Sequence, residues 1–347
     1  MKKTTNISVF LIGFFVLLCL LYLAKDIFVP IIFAFLFSVL LDPVVSFFKR
    51  FRFSTIWAIS LTLFLLIVLS ALTMLFLVAQ LSRLLDELPK LIQNLTSLMV
   101  QTEQWVSTYF DINLTVIQTW VKDANADILM EGRALIGTTI MGVGSVLVVL
   151  VLIPVYIFFI LYYKSLLLNF VFMLFGKAHE LRVHKTLLSM KAVVQNYLVG
   201  LIIEASLVAV LNSVALLLLG LEYAVLIGVF GALLNVIPYL GGIVAIALPV
   251  IIALATQSSS SAVWVMVLYG FIQFVDNNII MTKIVASKVQ INGLVSVAIV
   301  LAGGALWGVS GMFLSIPGAA LLKVVCDQST SFKSFGYVLG VDQSKQY

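Results

Sequence analysis

Residues 55–79 read TIWAISLTLFLLIVLSALTMLFLVA, a continuous apolar run without one charged side chain. A helix rises 1.5 Å per residue, so a run of this length crosses the roughly 30 Å of hydrocarbon in a bilayer. A membrane barrel would instead need alternating segments of about ten residues. Other apolar runs recur along much of the chain. Hydrophobic residues make up 63% of the 347 and charged residues 10%, against roughly 45–50% and 25% in soluble domains. A soluble fold of this size would lack the polar surface to cover its core. The surrounding solvent is lipid, where only helices or closed barrels satisfy the backbone. The expected fold is an all-α integral membrane protein: a polytopic helical bundle of about eight spans, with broken or re-entrant helices in its C-terminal half.

Towards the amino terminus, two more spans are expected at 7–24 and 27–48, parted by Lys25-Asp26. The opening Met1-Lys2-Lys3 resembles a signal peptide. The apolar stretch after it is too long for a cleavable core, no small-x-small site follows, and the first span is read as retained. Residues 1–79 thus form a three-span unit. Residues 80–135 carry seven acidic and four basic residues. There Leu81, Leu84, Leu85, Leu88, Ile92, Leu95 and Met99 recur at three- and four-residue steps, one face of an amphipathic helix. This segment is expected to be an extracytoplasmic helical insertion whose apolar stripe packs on the protein itself. A fourth span at 136–163 follows, then a basic cytoplasmic loop at 164–194. A C-terminal transmembrane transport region is expected at 195–327, and a polar tail at 328–347.

Lys2 and Lys3, then Lys49, Arg50 and Arg52, then the 164–194 segment, then Lys283 and Lys288 fall on one side if each run crosses once. The positive-inside rule puts that side, and the amino terminus, in the cytoplasm. Two places break the regular pattern. The runs 222–237 and 240–256 are short and meet at Ile237-Pro238-Tyr239-Leu240-Gly241-Gly242. The run 292–325 is too long for one span and is interrupted by Gly303-Gly304, Gly308, Gly311 and Pro317-Gly318. Short or Gly/Pro-interrupted segments mark broken helices that line transport sites, or tight hairpins packed through small residues.

Polar side chains inside the spans are the candidate site, because each is costly in hydrocarbon unless it faces a cavity or a partner. They are Glu204, Asn212, Asn235, Gln273, Asp276, Asn277 and Asn278, with the Pro238, Gly241 and Gly242 break beside them. Glu204 and Asn212 lie about two turns apart on nearly one face; Gln273, Asp276 and Asn277 share another. Asp276 can exchange a proton or cation, with the neighbouring amides coordinating a cation or hydrogen-bonding a solute. Alternatively, it pairs with Lys283 or caps a half-helix. Glu204 likewise has a simpler reading, an interhelical hydrogen bond or a pair with a basic residue. Freed backbone groups at Pro238 must be satisfied inside the protein, in a wet cavity or by a ligand.

Enzyme signals are missing. His179 and His184 do not form the H-E-x-x-H pattern, and five helical steps turn their rings about 140° apart. Gly142-Val143-Gly144 follows no strand, and no phosphate loop occurs. Cys19 and Cys326 build neither a disulfide framework nor a metal cluster. No enzyme activity, cofactor or metal is expected, and the scattered basic residues are not a nucleic-acid signature. The partners expected from the residues are a small polar solute or monovalent cation and membrane lipid.

Asn196-Tyr197-Leu198-Val199-Gly200, Leu219-Gly220-Leu221-Glu222-Tyr223-Ala224 and Ile237-Pro238-Tyr239-Leu240-Gly241-Gly242 resemble the first half of the autoinducer-2 exporter family, the PerM-like permeases. Asp276-Asn277-Asn278, Ile291-Asn292, Gly303-Gly304, Trp307-Gly308, Gly311 and Ile316-Pro317 resemble its second half. Thr282 stands where the family pattern carries proline, and Ile243 follows Gly242 where a proline is also frequent. The resemblance implies a secondary permease of a bacterial inner membrane and a homo-oligomer, in some readings a pentamer. It further implies export of a small signalling molecule such as autoinducer-2, or sodium/proton exchange. A membrane scaffold that binds a partner through the 80–135 insertion is the alternative of another class.

Overall fold

The computed structural model describes residues 2–110, 151–237, 241–286, 289, 291–329 and 332–340. The described chain is helical, apart from one isolated bridge between Ile291 and Gly340. Helix α1 spans Lys2–Leu23, α2 Lys25–Arg50 and α3 Thr55–Phe110. Then come α4, Val151–Tyr162, and α5, Lys164–Phe175. The second half holds α6, Glu180–Leu218; α7, Ala224–Asn235; α8, Gly241–Thr256; and α9, Ser259–Val275, which runs on as a π-helix over Asp276–Ala286. Helix α10 is Gly293–Gln328 and α11 Lys333–Leu339. Among the described residues, five helices are long and apolar enough to cross a membrane, six if the bent α4–α5 pair is one span. This is a multi-pass membrane protein, and its outward side chains fit that solvent. Leu69, Leu75, Trp264 and Phe271 are all large, apolar and exposed.

Several boundaries differ from those the sequence suggested. Helix α3 does not stop at residue 79; its 56 residues extend as one helix for about 84 Å, far beyond a bilayer core. No helix-stopping pair separates the apolar run from the amphipathic one, and Pro89 is absorbed within the helix. In the extension, Leu84 and Leu91 are buried and Leu95 packs beside them, against Ile252, Ala253 and Ala255 of α8. Asn94 Nδ2 donates to Ala255 O at 2.7 Å, fixing the register. Leu81 is exposed. Residues 111–150, with the rest of the insertion and the start of the fourth span, lie outside the described residues. The stretch 164–194 is helical rather than a loop. Helix α5 leaves α4 at 64°, and α6 begins at Glu180. Its sequence KSLLLNFVFMLF is too apolar to be a solvated linker. Within the C-terminal stretch 328–347, Lys333–Leu339 is helical.

Three apolar clusters hold the helices. One joins α2, α3 and α4 through Ala34, Leu41, Ile59 and Ile157. Another joins α2, α6, the π-helix and α10 through Leu36, Tyr197, Val285 and Leu314. The third joins the ends of α3 and α6 to α7, α8 and α9 through Leu216, Ile227, Ile252 and Val265. Helices in lipid gain no hydrophobic driving force from one another and rely on close packing, often through small residues. At the α6–α7 contact a Cβ on Gly228 would fall 2.5 Å from Ser213 N, so only glycine permits this approach.

Helix α10 is a broken hairpin. Trp307 (φ −134°, ψ 17°) and Gly308 (φ 63°, ψ −142°) leave helical geometry, and the positive φ is one that glycine accepts freely. Ser315 Oγ lies 2.8 Å from Ile299 O and 2.6 Å from Gly311 O, its one proton shared between them. In a straight helix, sixteen residues would separate Ile299 from Ser315 by about 24 Å. Trp307 Nε1 at the hairpin tip donates to Leu21 O of α1 at 2.9 Å. At the other end, Asn292 Oδ1 caps Val295 N at 2.9 Å, while its Nδ2 donates to Val338 O at 2.6 Å. One residue thus starts α10 and ties α11 to it.

Candidate functional site

The break between α7 and α8, the α9–π-helix junction and the middle of α6 converge on one cavity of about 840 Å³. Its walls include Tyr197 and Glu204 of α6, Asn235 at the end of α7 and Gly242 at the start of α8. Tyr269, Gln273, Asp276 and Asn277 come from the α9 stretch, and Ser296 and Ile316 from α10. The volume falls within the roughly 300–1,000 Å³ of small-molecule sites.

Local sequence explains each placement. Tyr197 and Glu204 are seven residues apart, two turns along one face of α6; Tyr269, Gln273 and Asp276 follow the same i, i+4, i+7 rule. Beyond Asp276 the helix widens to π geometry. There Thr282 Oγ1 reaches the Asn277 carbonyl five residues back, at 2.9 Å. Thr282 occupies the position where the resembled pattern has proline, and its hydroxyl ties it into the helix. π segments are rare and occur often at functional sites. Asn235 is the last residue of α7, and its side chain crosses to α9. A Cβ on Gly242 would sit 2.9 Å from the Gln273 side-chain amide carbon, so a glycine there keeps room for that amide.

The polar groups form a chain. Gln273 Nε2 donates to Asn277 Oδ1 at 3.2 Å and lies 3.3 Å from Asn235 Oδ1. Asn235 Nδ2 donates to Asp276 Oδ2 at 2.6 Å. The chain ends at Asp276. Its Oδ1, and Glu204 Oε2 and Tyr269 OH on the same cavity, are buried with no hydrogen-bond partner among the described residues; Asp276 is 1% exposed and Glu204 4%. A buried unpaired polar group costs roughly 1–3 kcal/mol, and more if charged. Such a set is expected where a ligand, ion or water completes it.

The ten sequence candidates take different parts. Glu204, Asn235, Gly242, Gln273, Asp276 and Asn277 share the cavity. Gly241 packs against Leu234 and Asn235 at the break. Two others stand apart. Asn212 is buried in α6 away from the lining, its Oδ1 also unpartnered. Asn278 is exposed and donates to Phe274 O at 2.8 Å. Pro238 lies outside the described residues. The two tyrosines, Tyr197 and Tyr269, were missed as site residues; their helical spacing from Glu204 and Asp276 was the available signal. Among the described residues, no group of three or more His, Cys, Asp or Glu is placed to hold a metal.

Comparison with known proteins agrees over most of the chain. The sequence pattern described as AI-2E family transporter matches residues 10–331. "Putative transport protein YrrI" of Bacillus subtilis (strain 168) is 30% identical over 130 residues, covering 38% of this chain and 36% of YrrI. "Putative permease PerM" of Escherichia coli (strain K12) is 28% identical over 190 residues, 54% of this chain and 53% of PerM. "AI-2 transport protein TqsA" of the same strain is 25% identical over 330 residues, 93% and 92% of the two chains. The aligned part thus spans about a third of YrrI and half of PerM.

Proposed function

We propose that this chain, which belongs to the AI-2E family of transporters, is a secondary transporter that moves a small polar solute through the Glu204–Asp276 cavity. The direction is export, and a signalling molecule of the autoinducer-2 type is the leading substrate. One observation carries the reading: two buried carboxylates on different helices face a single cavity beside two broken elements. The name of the relative TqsA supports the substrate class. Asn235, Gln273, Asn277 and the tyrosine hydroxyls supply donors and acceptors suited to a hydroxylated solute. The carboxylates would couple movement of the solute to a proton or monovalent cation. The protein would sit in a bacterial inner membrane with its amino terminus in the cytoplasm, as a homo-oligomer.

A second reading is monovalent cation/proton antiport, with the ion itself as cargo. It is favoured by the unpartnered Asp276 Oδ1 and Glu204 Oε2, both acceptors of the kind a cation takes.

Flux into proteoliposomes under an imposed proton or sodium gradient tests both readings. Wild-type protein is expected to move solute only with a gradient. Asp276→Asn and Glu204→Gln are each expected to lower coupled flux at least about tenfold, or 1.4 kcal/mol in the barrier. Sodium flux without any solute would select the antiport reading. Folded, reconstituted protein that moves neither solute nor ion would remove both and favour the scaffold.

A further inference from the structure

A second cavity, of about 660 Å³, lies apart from the transport site, between α2, α4, α5 and α6. Its walls are hydrocarbon: Ile31 and Phe35 from α2, Leu161 from α4, Leu168 from α5 and Leu188 from α6. One end is charged. Asp42, 8% exposed, receives Lys164 Nζ at 2.7 Å and Lys191 Nζ at 2.5 Å on its two oxygens. His184 also lines the slot, its ring stacked on Phe172 at 6.1 Å.

We infer that this slot binds an anionic phospholipid, with an acyl chain between α2, α5 and α6 and the phosphate on Lys164 and Lys191. The first argument is charge. Two ammonium groups share one carboxylate, and Asp42 is the one acid among the described lining residues, so the cluster keeps one excess positive charge. Each ammonium has three donors, Asp42 takes one from each, and both lysines remain nearly half exposed. An excess cation beside hydrocarbon calls for an anion. Basic pockets between membrane helices recruit anionic headgroups. The second argument is the wall. Helix α5 buries none of its residues, and Leu166, Phe170, Met173 and Leu174 are large, apolar and exposed. Such a helix belongs in acyl chains. The slot it walls is therefore beside lipid, and an apolar tail with an acidic head matches both its ends.

The test uses purified full-length protein in mixed micelles of equal dioleoyl-phosphatidylglycerol and dioleoyl-phosphatidylcholine, with retained lipids counted by native mass spectrometry. Wild type is expected to retain the anionic lipid roughly fivefold over the zwitterionic one, as one excess charge near a headgroup implies. The triple variant D42N/K164Q/K191Q leaves no unpaired buried charge and is expected to lose that preference. Leu168→Trp fills the slot, leaves the ion cluster intact and is expected to lower retention of both lipids. Thermal melting of each variant confirms folding. Equal retention of the two lipids by wild type, or retention unchanged in both variants, overturns the inference. So does efficient disulfide trapping of Leu188→Cys between copies in native membranes, which would make the slot a contact between subunits.

Discussion

The residue whose surroundings say most is Asn235. Its side-chain amide is the one described hydrogen-bond donor to Asp276, and it also lies within reach of Gln273. Replacing it by leucine strands Asp276 Oδ2 and should lower stability by about 1–3 kcal/mol. The double variant N235L/D276L should cost less than the two single changes summed, because the pair shares one interaction. Chemical denaturation in detergent of the four proteins measures this coupling, and strict additivity would refute the contact. Gly228 gives a second check at this scale. Gly228→Val must push α7 off Ser213 and is expected to cost about 1–3 kcal/mol by overpacking. Gly270→Ala, with nothing within 4 Å of its Cβ, should raise the melting temperature slightly, because glycine inside a helix costs about 0.5–1 kcal/mol relative to alanine.

Among the elements, α10 makes the sharpest prediction. With Cys19 and Cys326 replaced by serine, cysteines at Ile299 and Ser315 should be joined by a short bifunctional thiol reagent. The hairpin brings Ser315 Oγ to 2.8 Å from the Ile299 carbonyl, whereas a straight helix would hold the two about 24 Å apart. Absence of the cross-link in reconstituted protein would restore the single tilted span. Helix α3 makes another. Its long extension is tied to α8 by the Asn94 amide and by Leu84 and Leu91. Asn94→Leu should leave the span intact but raise hydrogen exchange in 85–110, as a docked extension that has lost its polar latch opens more often. Unchanged protection there would show that the leucine contacts suffice alone.

Across the whole molecule, the expected orientation can be tested by labelling. Lys49→Cys should react with an impermeant thiol reagent only from the cytoplasmic side, and a cysteine at Gln104 only from the opposite one. The reverse pattern would invert the bundle. Composition established that the chain sits in lipid, because a chain 63% hydrophobic leaves no polar coat for water, and the length of its continuous apolar runs made the spans helices rather than barrel strands. Runs such as 55–79 pointed to spans, and polar residues within the apolar runs supplied five of the side chains that line the cavity, Glu204, Asn235, Gln273, Asp276 and Asn277, since hydrocarbon penalises each one locally. Other features were out of reach because they depend on contacts between distant segments. Nothing in the sequence around Pro89 says whether α3 ends or continues; docking of its leucines on α8 decides that. The glycines at 303–311 announce a break, but only the return of Ser315 to Ile299 makes it a hairpin. Glu204 and Asp276 are separated by 71 intervening residues, and only the folded bundle brings them to one cavity. Asn212 and Asn278 are as polar as their neighbours yet face elsewhere. Local periodicity records which side of a helix a residue occupies; which neighbour that side meets is set by tertiary packing.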